Sequence, residues 1–342
     1  MNSLVSVVMA AKNYGRFLAE AVESVLAQSF PDWELLIIDD GSSDDTSHVV
    51  QRYLKDSRIR YVKSDRLGQS RAKNLGIDLA RGEYIAFLDA DDAWLPTKLE
   101  KQLQLFSPLS PLGRGVGGEG SGSSAAPLTR LIPPLRNEPP SPQRGEGETV
   151  GVVFSRRSLM DESGTPLPTK PQAAFPRGRV RERMFAQNFV CFSSAMVRRE
   201  VFARVGRFDP QWDLAIDYDL WLRVAEHYTF EFVDEELVKY RTGHGNLSKK
   251  LADRVDGVLA IMHRSEAGIE SRVKAEAYAS TFRTIGYVMR GSEPMTSLKW
   301  YWKALLEPRG RLVSAKGLAG SLLAWVRGKR EPGAAENASV NR

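Results

Sequence analysis

The chain has 342 residues, 42% hydrophobic and 26% charged, which suits one large globular unit with a smaller appendage at roughly 100 to 200 residues per domain. Its single cysteine, Cys191, excludes an internal disulfide and any multi-cysteine metal site, so a reduced cytoplasm is the expected compartment. No window reaches the roughly 18 uninterrupted apolar residues of a membrane-spanning helix, and the net charge of +6 gathers from Lys249 onward, where seventeen Lys/Arg face nine Asp/Glu.

The N-terminus is apolar, with no basic leader or cleavage site, and reads as a first strand over residues 4–10. An amphipathic helix follows at 16–28, then a strand at 34–39, a helix at 45–55, a strand at 59–63, a helix at 69–80 and a strand at 84–88. Ser43-Asp-Asp-Thr46 offers capping oxygens, and Pro96 stands where a first helical turn tolerates proline. Strand and helix in alternation predict an α/β fold with a mostly parallel sheet covered on both faces, whose ligands bind at the C-terminal strand ends.

Residues 107–149 turn abruptly to Pro, Gly and Ser without apolar periodicity and read as a disordered insertion that loops out. Gly113, Gly115 and Gly118 match G-x-G-x-x-G there, but no strand precedes them and no helix follows, so no helix N-terminus meets a phosphate. A strand resumes at 150–155, a turn at 161–164, helices at 177–187 and 217–227, and apolar segments at 189–197 and 230–233. Residues after 248 read as helical to about 327, with a loose tail from 331. The stretch 312–326 is apolar on one side and flanked by Arg309, Arg311, Arg327, Lys329 and Arg330. It can lie on a membrane surface or, as the simpler reading, pack on the preceding domain. No nucleic-acid motif accompanies the basic charge.

Three acidic clusters end strands or open a helix. Asp39-Asp40-Gly-Ser42 can cap the next helix or present acceptors to a base or ribose. Asp89-Ala-Asp91-Asp92 places three carboxylates in four positions, which repel unless a cation or solvent offsets them; alternate residues of an extended chain share a side, and Mg²⁺ or Mn²⁺ favours such oxygen ligands. Asp217-Tyr-Asp219 opens a helix, either against its dipole or as a general base at a cleft.

Taken in order, Val5-Ser-Val-Val-Met9, Ala21-Val-Glu-Ser-Val-Leu-Ala-Gln-Ser-Phe30, Ile38-Asp-Asp-Gly-Ser-Ser-Asp-Asp-Thr46, Lys73-Asn-Leu-Gly-Ile77, Gly82-Glu-Tyr-Ile85, Leu88-Asp-Ala-Asp-Asp92, Ser193-Ser-Ala-Met-Val-Arg-Arg199, Val205-Gly-Arg-Phe-Asp209, Asp217-Tyr-Asp-Leu-Trp221 and Tyr240-Arg-Thr-Gly-His-Gly-Asn-Leu-Ser248 closely resemble the family 2 inverting glycosyltransferases. The resemblance implies a GT-A fold: an open twisted, mostly parallel sheet flanked by helices, here with a C-terminal helical appendage. The catalytic domain is expected at 1–248, with a nucleotide-sugar half at 1–106, the insertion at 107–149 and an acceptor half at 150–248. The helical region is expected at 249–330 and the loose tail at 331–342.

The resemblance also assigns roles. Asp40 matches the carboxylate that contacts the donor base, with Asp39 beside it. Asp91 matches the ligand of Mg²⁺ or Mn²⁺, with Asp89 alongside near sugar or ribose, and His244 matches a histidine at the metal or diphosphate. Lys73 falls among the donor-binding residues, and Asp217 matches the catalytic base. Lys12 departs from the aromatic residue often found against the base, leaving phosphate as its partner and Tyr14 as the stacking alternative. Ile216 departs from the glutamate that often precedes the base. The implied partners are a nucleotide-diphospho-sugar donor and a glycan or lipid-linked glycan acceptor for cell-surface polysaccharide or glycan synthesis. Localisation is then cytoplasmic, or peripheral at the inner face of the membrane through the basic C-terminal helices. The rival readings are a non-catalytic nucleotide- or glycan-binding protein on the same fold, and a nucleotidyltransferase, for which Ala10-Ala-Lys-Asn-Tyr-Gly15 is a poor triphosphate loop.

Overall fold

The computed structural model describes residues 4–106, 149–169, 174–212, 214–244, 251–307 and 311–330. The expected insertion, apart from Thr149, lies outside the described residues, as do Gly113, Gly115 and Gly118 within it and the tail from 331. Strands β1 (Val5–Ala11), β2 (Trp33–Asp39), β3 (Ile59–Lys63) and β4 (Tyr84–Phe87) alternate with helices α1 (Gly15–Leu26), α2 (Thr46–Gln51) and α3 (Gln69–Leu79). The four strands pair in parallel in the order β3-β2-β1-β4. Their unbroken apolar runs suit this arrangement, because helices bury both faces of a parallel sheet. Val8, Leu36 and Phe87 enter the core on one face, and Val7, Leu35 and Ala86 enter the core on the other. The turn before β4 is pinned by polar groups: Ser6 Oγ donates to Glu34 Oε1 at 2.6 Å, and the Gly82 amide donates to Ser6 Oγ at 2.8 Å.

The sheet continues through β8 (Met196–Arg198), β6 (Val150–Met160), β9 (Thr229–Arg241) and β5 (Ala93–Trp94), with β7 (Pro166–Leu167) beside β6. From the pairings, six of the nine strands share one direction, and β5, β7 and β8 oppose it. The sheet is therefore mostly parallel, as expected. Its β6–β9 ladder shifts register between Ser155 and Arg156 and again between Arg156 and Arg157. Such irregularities bend a strand and re-aim its side chains, and this one lies beside the cleft described below. Helices α4 (Lys98–Phe106), α5 (Arg181–Ala186), α6 (Arg199–Val205) and α7 (Ile216–Ala225) cover this half.

Several boundaries differ from expectation. Helix α2 ends at Gln51 and gives way to turns. The helix expected from 177 begins only at Arg181, because Gly178 has a φ of +76° and its backbone bridges Phe230. Strands β6 and β9 run well beyond their apolar starts, to Met160 and Arg241, since they pair with each other.

Four helices follow: α8 (Leu251–Ser265), α9 (Ser271–Met289), α10 (Pro294–Leu306) and α11 (Arg311–Arg330). Ile261, Met262, Ile269 and Ala277 join the core beneath α5 and α7. Buried Asp219 of α7 accepts from Arg223 at 2.8 Å and pairs with Arg264 of α8. Helix α10 sits on α9 through Ser297, whose hydroxyl donates to the Gly286 carbonyl. Helix α11 packs chiefly on α9 and α10 rather than on the catalytic sheet, a correction to the simpler expectation. Tyr301 fills the space above Gly317, where an added Cβ would lie 2.0 Å from its ring.

Candidate active site

The C-terminal ends of β1, β2 and β4 open into a cleft of about 640 Å³. After β1 the chain turns through Asn13, whose φ of +60° is uncommon for a residue other than glycine. The turn after β2 holds it: the Ser43 amide donates to Asn13 Oδ1 at 2.8 Å, and the Gly15 amide donates to Asp44 Oδ2 at 2.9 Å. Only glycine fits at position 15, where a Cβ would lie 2.0 Å from Asp45 Oδ1 and 2.9 Å from the Thr46 amide nitrogen. Lys12 and Tyr14 are thereby presented to the cleft opposite Asp40.

The Asp39-Asp40 pair divides its work. Asp40 is buried and lines the cleft; it accepts from the Leu67 and Gly68 amides and lies 3.9 Å from Lys12 Nζ. Asp39 does not line the cleft. Its carboxylate accepts from the Ser42 amide at 2.8 Å and from the Tyr61 hydroxyl, and so supports the turn. Burial and this carboxylate push the Tyr61 phenol above its ordinary range.

The three carboxylates after β4 also part. Asp89 pairs with buried Lys73 at 3.0 Å, and that ammonium sits 4.0 Å above the Phe192 ring. Asp91 faces His244, with Oδ2 2.8 Å from Nε2. Asp92 turns inward, accepting from Ser193 Oγ at 2.5 Å and from the Arg241 amide at 2.9 Å. Burial, followed by the charge of Asp89, raises the Asp91 pKa against the pull of His244. Burial and the charges of Asp91 and Asp89 raise Asp92 well above the carboxylate range. The same desolvation and the charges of Asp91 and Asp89 raise the Tyr14 phenol.

Asp217 lies across the cleft in the first turn of α7. The residue before the helix, Ala215, holds a φ of +59°, a left-handed conformation that β-carbon residues adopt at a cost of about 1–3 kcal/mol. That turn brings Ile216 and Asp217 to the cleft wall. Asn188 Nδ2 donates to Asp217 Oδ2 at 2.8 Å and supplies polarity on the side where Ile216 does not.

The structure thus brings Asp40, Lys12, Lys73, Asp89, Asp91 and Asp217 to one cleft, with His244 behind Asp91. Sequence reasoning passed over Asn188, Arg157 and Arg241. Arg157 lines the cleft above the Tyr240 ring at 4.5 Å. Arg241 is 2% exposed and acts as a strut: Nε donates to the Asp91 carbonyl at 2.8 Å, Nη1 donates to the Glu162 carbonyl at 3.0 Å, and Nη2 pairs with Glu20. Its place in Tyr240-Arg241-Thr-Gly-His244 was the available signal.

Among the described residues no three His, Cys, Asp or Glu side chains converge as a closed metal site. Asp89 is directed to Lys73, which leaves Asp91 and His244 as the adjacent pair. Nδ1 of His244 is buried without a hydrogen-bond partner. The hard oxygen donor of this open pair is Asp91, and a divalent cation held there would take its remaining ligands from phosphate oxygens and water, as Mg²⁺ usually does.

Residues 6–113 match the model described as glycosyl transferase family 2. An uncharacterized glycosyltransferase of Methanocaldococcus jannaschii is 28% identical over 243 residues, 70% of each chain. A putative teichuronic acid biosynthesis glycosyltransferase of Bacillus subtilis is 39% identical over 38% of this chain and 52% of its own. An Escherichia coli UDP-Glc:alpha-D-GlcNAc-diphosphoundecaprenol beta-1,3-glucosyltransferase is 42% identical over 30% of this chain and 41% of its own. The chain therefore spans about half or less of the latter two relatives. S. aureus TarS 1-349, solved with UDP-GlcNAc, shares the fold with a TM-score of 0.59 at 12% identity, over 95% of this chain and 91% of that one.

Proposed function

We propose that this chain, whose residues 6–113 belong to glycosyl transferase family 2, is an inverting glycosyltransferase that moves a sugar from a nucleotide diphosphate to an acceptor hydroxyl in polysaccharide or glycan synthesis. The observation that carries the reading is the placement of Asp40, Asp91 and Asp217 around one cleft. Asp40 and Lys12 take the nucleoside end, and Lys73 orders Asp89 beside the sugar or ribose. Asp91 and His244 are the residues that would hold Mg²⁺ or Mn²⁺, whose chemistry when bound is to neutralise charge on the diphosphate.

Asp217 accepts the proton of the acceptor hydroxyl while the new bond from that oxygen to the anomeric carbon forms. The bond from carbon to the diphosphate oxygen breaks, and its electron pair leaves with the nucleoside diphosphate. A general base of this kind is worth about 10² to 10⁴-fold. Calorimetry and product analysis with UDP-, GDP- and dTDP-sugars, each with and without Mn²⁺, test the reading. One donor should bind and turn over, with metal-dependent affinity abolished in Asp91→Ala. Absence of both binding and turnover for all donors, or unchanged affinity in Asp91→Ala, counts against it.

We also infer peripheral contact with an anionic bilayer on the cytoplasmic side, where a lipid-linked acceptor would be presented. Helix α10 exposes Met295, Lys299, Trp302 and Leu306 at helical spacing along one stripe, with Lys303 beside it. No helix among the described residues is long and apolar enough to cross a membrane. Aromatic and apolar residues with flanking lysines suit the interface instead. Co-sedimentation with phosphatidylglycerol vesicles, lost in Trp302→Ala with Lys299→Ala and absent with phosphatidylcholine, is the expected result.

A further inference from the structure

A second cavity, of about 960 Å³, adjoins the cleft, and Arg157, Asn188, Val190 and Cys191 line both. The shared wall contains Asn188, the residue that holds the catalytic base, so the two spaces meet where an acceptor must enter. Its outer wall comes from α9, through Val273, Glu276, Ala277, Ser280 and Arg283.

The lining is strongly basic. Six arginines stand against Glu182 and Glu276. Two of the six are engaged in holding the fold: Arg156 pairs with Asp234, and Arg181 pairs with Glu226 at 3.0 Å. Arg283 is different, because its Nη1 is buried and has no hydrogen-bond partner. A guanidinium nitrogen in a cavity wall that no protein acceptor meets can donate to an acceptor group that enters the cavity. Arg157 adds a second guanidinium at the junction with the cleft.

We propose that this cavity is the acceptor subsite and that it selects a glycan acceptor carrying a phosphate group, whose oxygens accept from Arg283 and Arg157 while the accepting hydroxyl reaches Asp217 past Asn188. A guanidinium fork matches phosphate oxygens in geometry and charge. The cavity is large enough for a sugar together with its phosphate, which a site for one small anion need not be. This inference rests on the glycosyltransferase reading and adds the chemical class of the acceptor.

The test uses the full chain and calorimetry with three probes: a short-prenyl diphosphate-linked N-acetylglucosamine, an alditol-phosphate oligomer, and a neutral N-acetylglucosamine glycoside. A phosphate-bearing probe should bind at least tenfold more tightly than the neutral glycoside. The first probe winning identifies a lipid diphosphate as the source, and the second identifies a phosphodiester polymer. Arg283→Met should remove that preference while nucleotide binding in the first cleft stays unchanged, and Arg283→Lys should restore only part of it. Arg183→Gln, on an exposed part of the rim, serves as the second variant should Arg283→Met not fold, and is expected to weaken the same probe alone. Equal affinity for charged and neutral probes, or full preference retained in the folded variants, overturns the proposal. Loss of nucleotide binding with phosphate selectivity intact overturns the glycosyltransferase reading instead.

Discussion

Asn188 Nδ2 and Asp217 Oδ2 lie 2.8 Å apart although 29 residues separate them, and this contact gives the candidate base a fixed orientation. The amide needs no charge of its own to do so. It donates to one carboxylate oxygen at the start of α7, beside the left-handed Ala215 turn.

Replacing Asn188 by alanine should therefore lower kcat by roughly 10- to 100-fold, because small misplacements of a reacting group are expensive. The KM for donor should hardly change. Asp217→Asn should lose about 10² to 10⁴-fold while binding donor as before. Steady-state kinetics with a matched donor and acceptor check both, and near-full turnover in Asp217→Asn would remove it from the base role.

Asp219, two residues on, should behave in the opposite way. It is fully buried and held by Arg223 and Arg264, so Asp219→Ala leaves two cations without their shared anion. A loss of about 2–4 kcal/mol in urea unfolding is expected, below the fully buried value because Arg264 keeps 40% of its side chain in solvent. Unchanged unfolding would show that α8 docks without this cluster.

Arg241 joins stability to the site. Arg241→Met removes donors from the Asp91 and Glu162 carbonyls and abandons Glu20. The expected cost is about 2–4 kcal/mol, with at least tenfold weaker Mn²⁺-dependent donor binding. Arg241→Lys should rescue neither, since an ammonium cannot span three separated acceptors. Rescue by lysine would reduce the role to simple charge.

Cys191 supplies a pH dependence. Desolvation of its sulfur, partly offset by Arg157, pushes the thiol from 9.0 up to about 11. The folded state therefore binds the proton more tightly than the unfolded chain. The resulting stabilisation is fully present below about pH 9 and is lost as pH rises through about 11. Iodoacetamide labelling should be slow at pH 8, where the reactive thiolate is scarce. Labelling at the rate of an unhindered thiol at that pH would contradict this environment.

Much of the framework was legible without coordinates. The unbroken apolar runs of β1 and β2 announced strands buried on both faces, and short-range order placed Asp40, Asp89, Asp91 and Asp217 at element ends. The resemblance then supplied their roles. Periodicity could not find the start of α5, because Gly178 is drawn into a bridge with Phe230 from a distant strand. It also could not show that β6 and β9 extend through polar residues, since each is stabilised by the other.

What the sequence determined by itself was the alternation of elements and the identities of the carboxylates, both carried by neighbours a few residues apart. Tertiary structure decided which carboxylates face the cleft and which turn inward. Asp39 turned to Tyr61 and Asp92 to Ser193, while Asp40 and Asp91 were left at the cleft. It also brought Asn188 to Asp217, Arg241 to Asp91, and Arg283 of α9 to the wall of the second cavity. Burial and hydrogen-bond satisfaction act between residues close in space, and the Arg241 contact spans 150 positions of the chain.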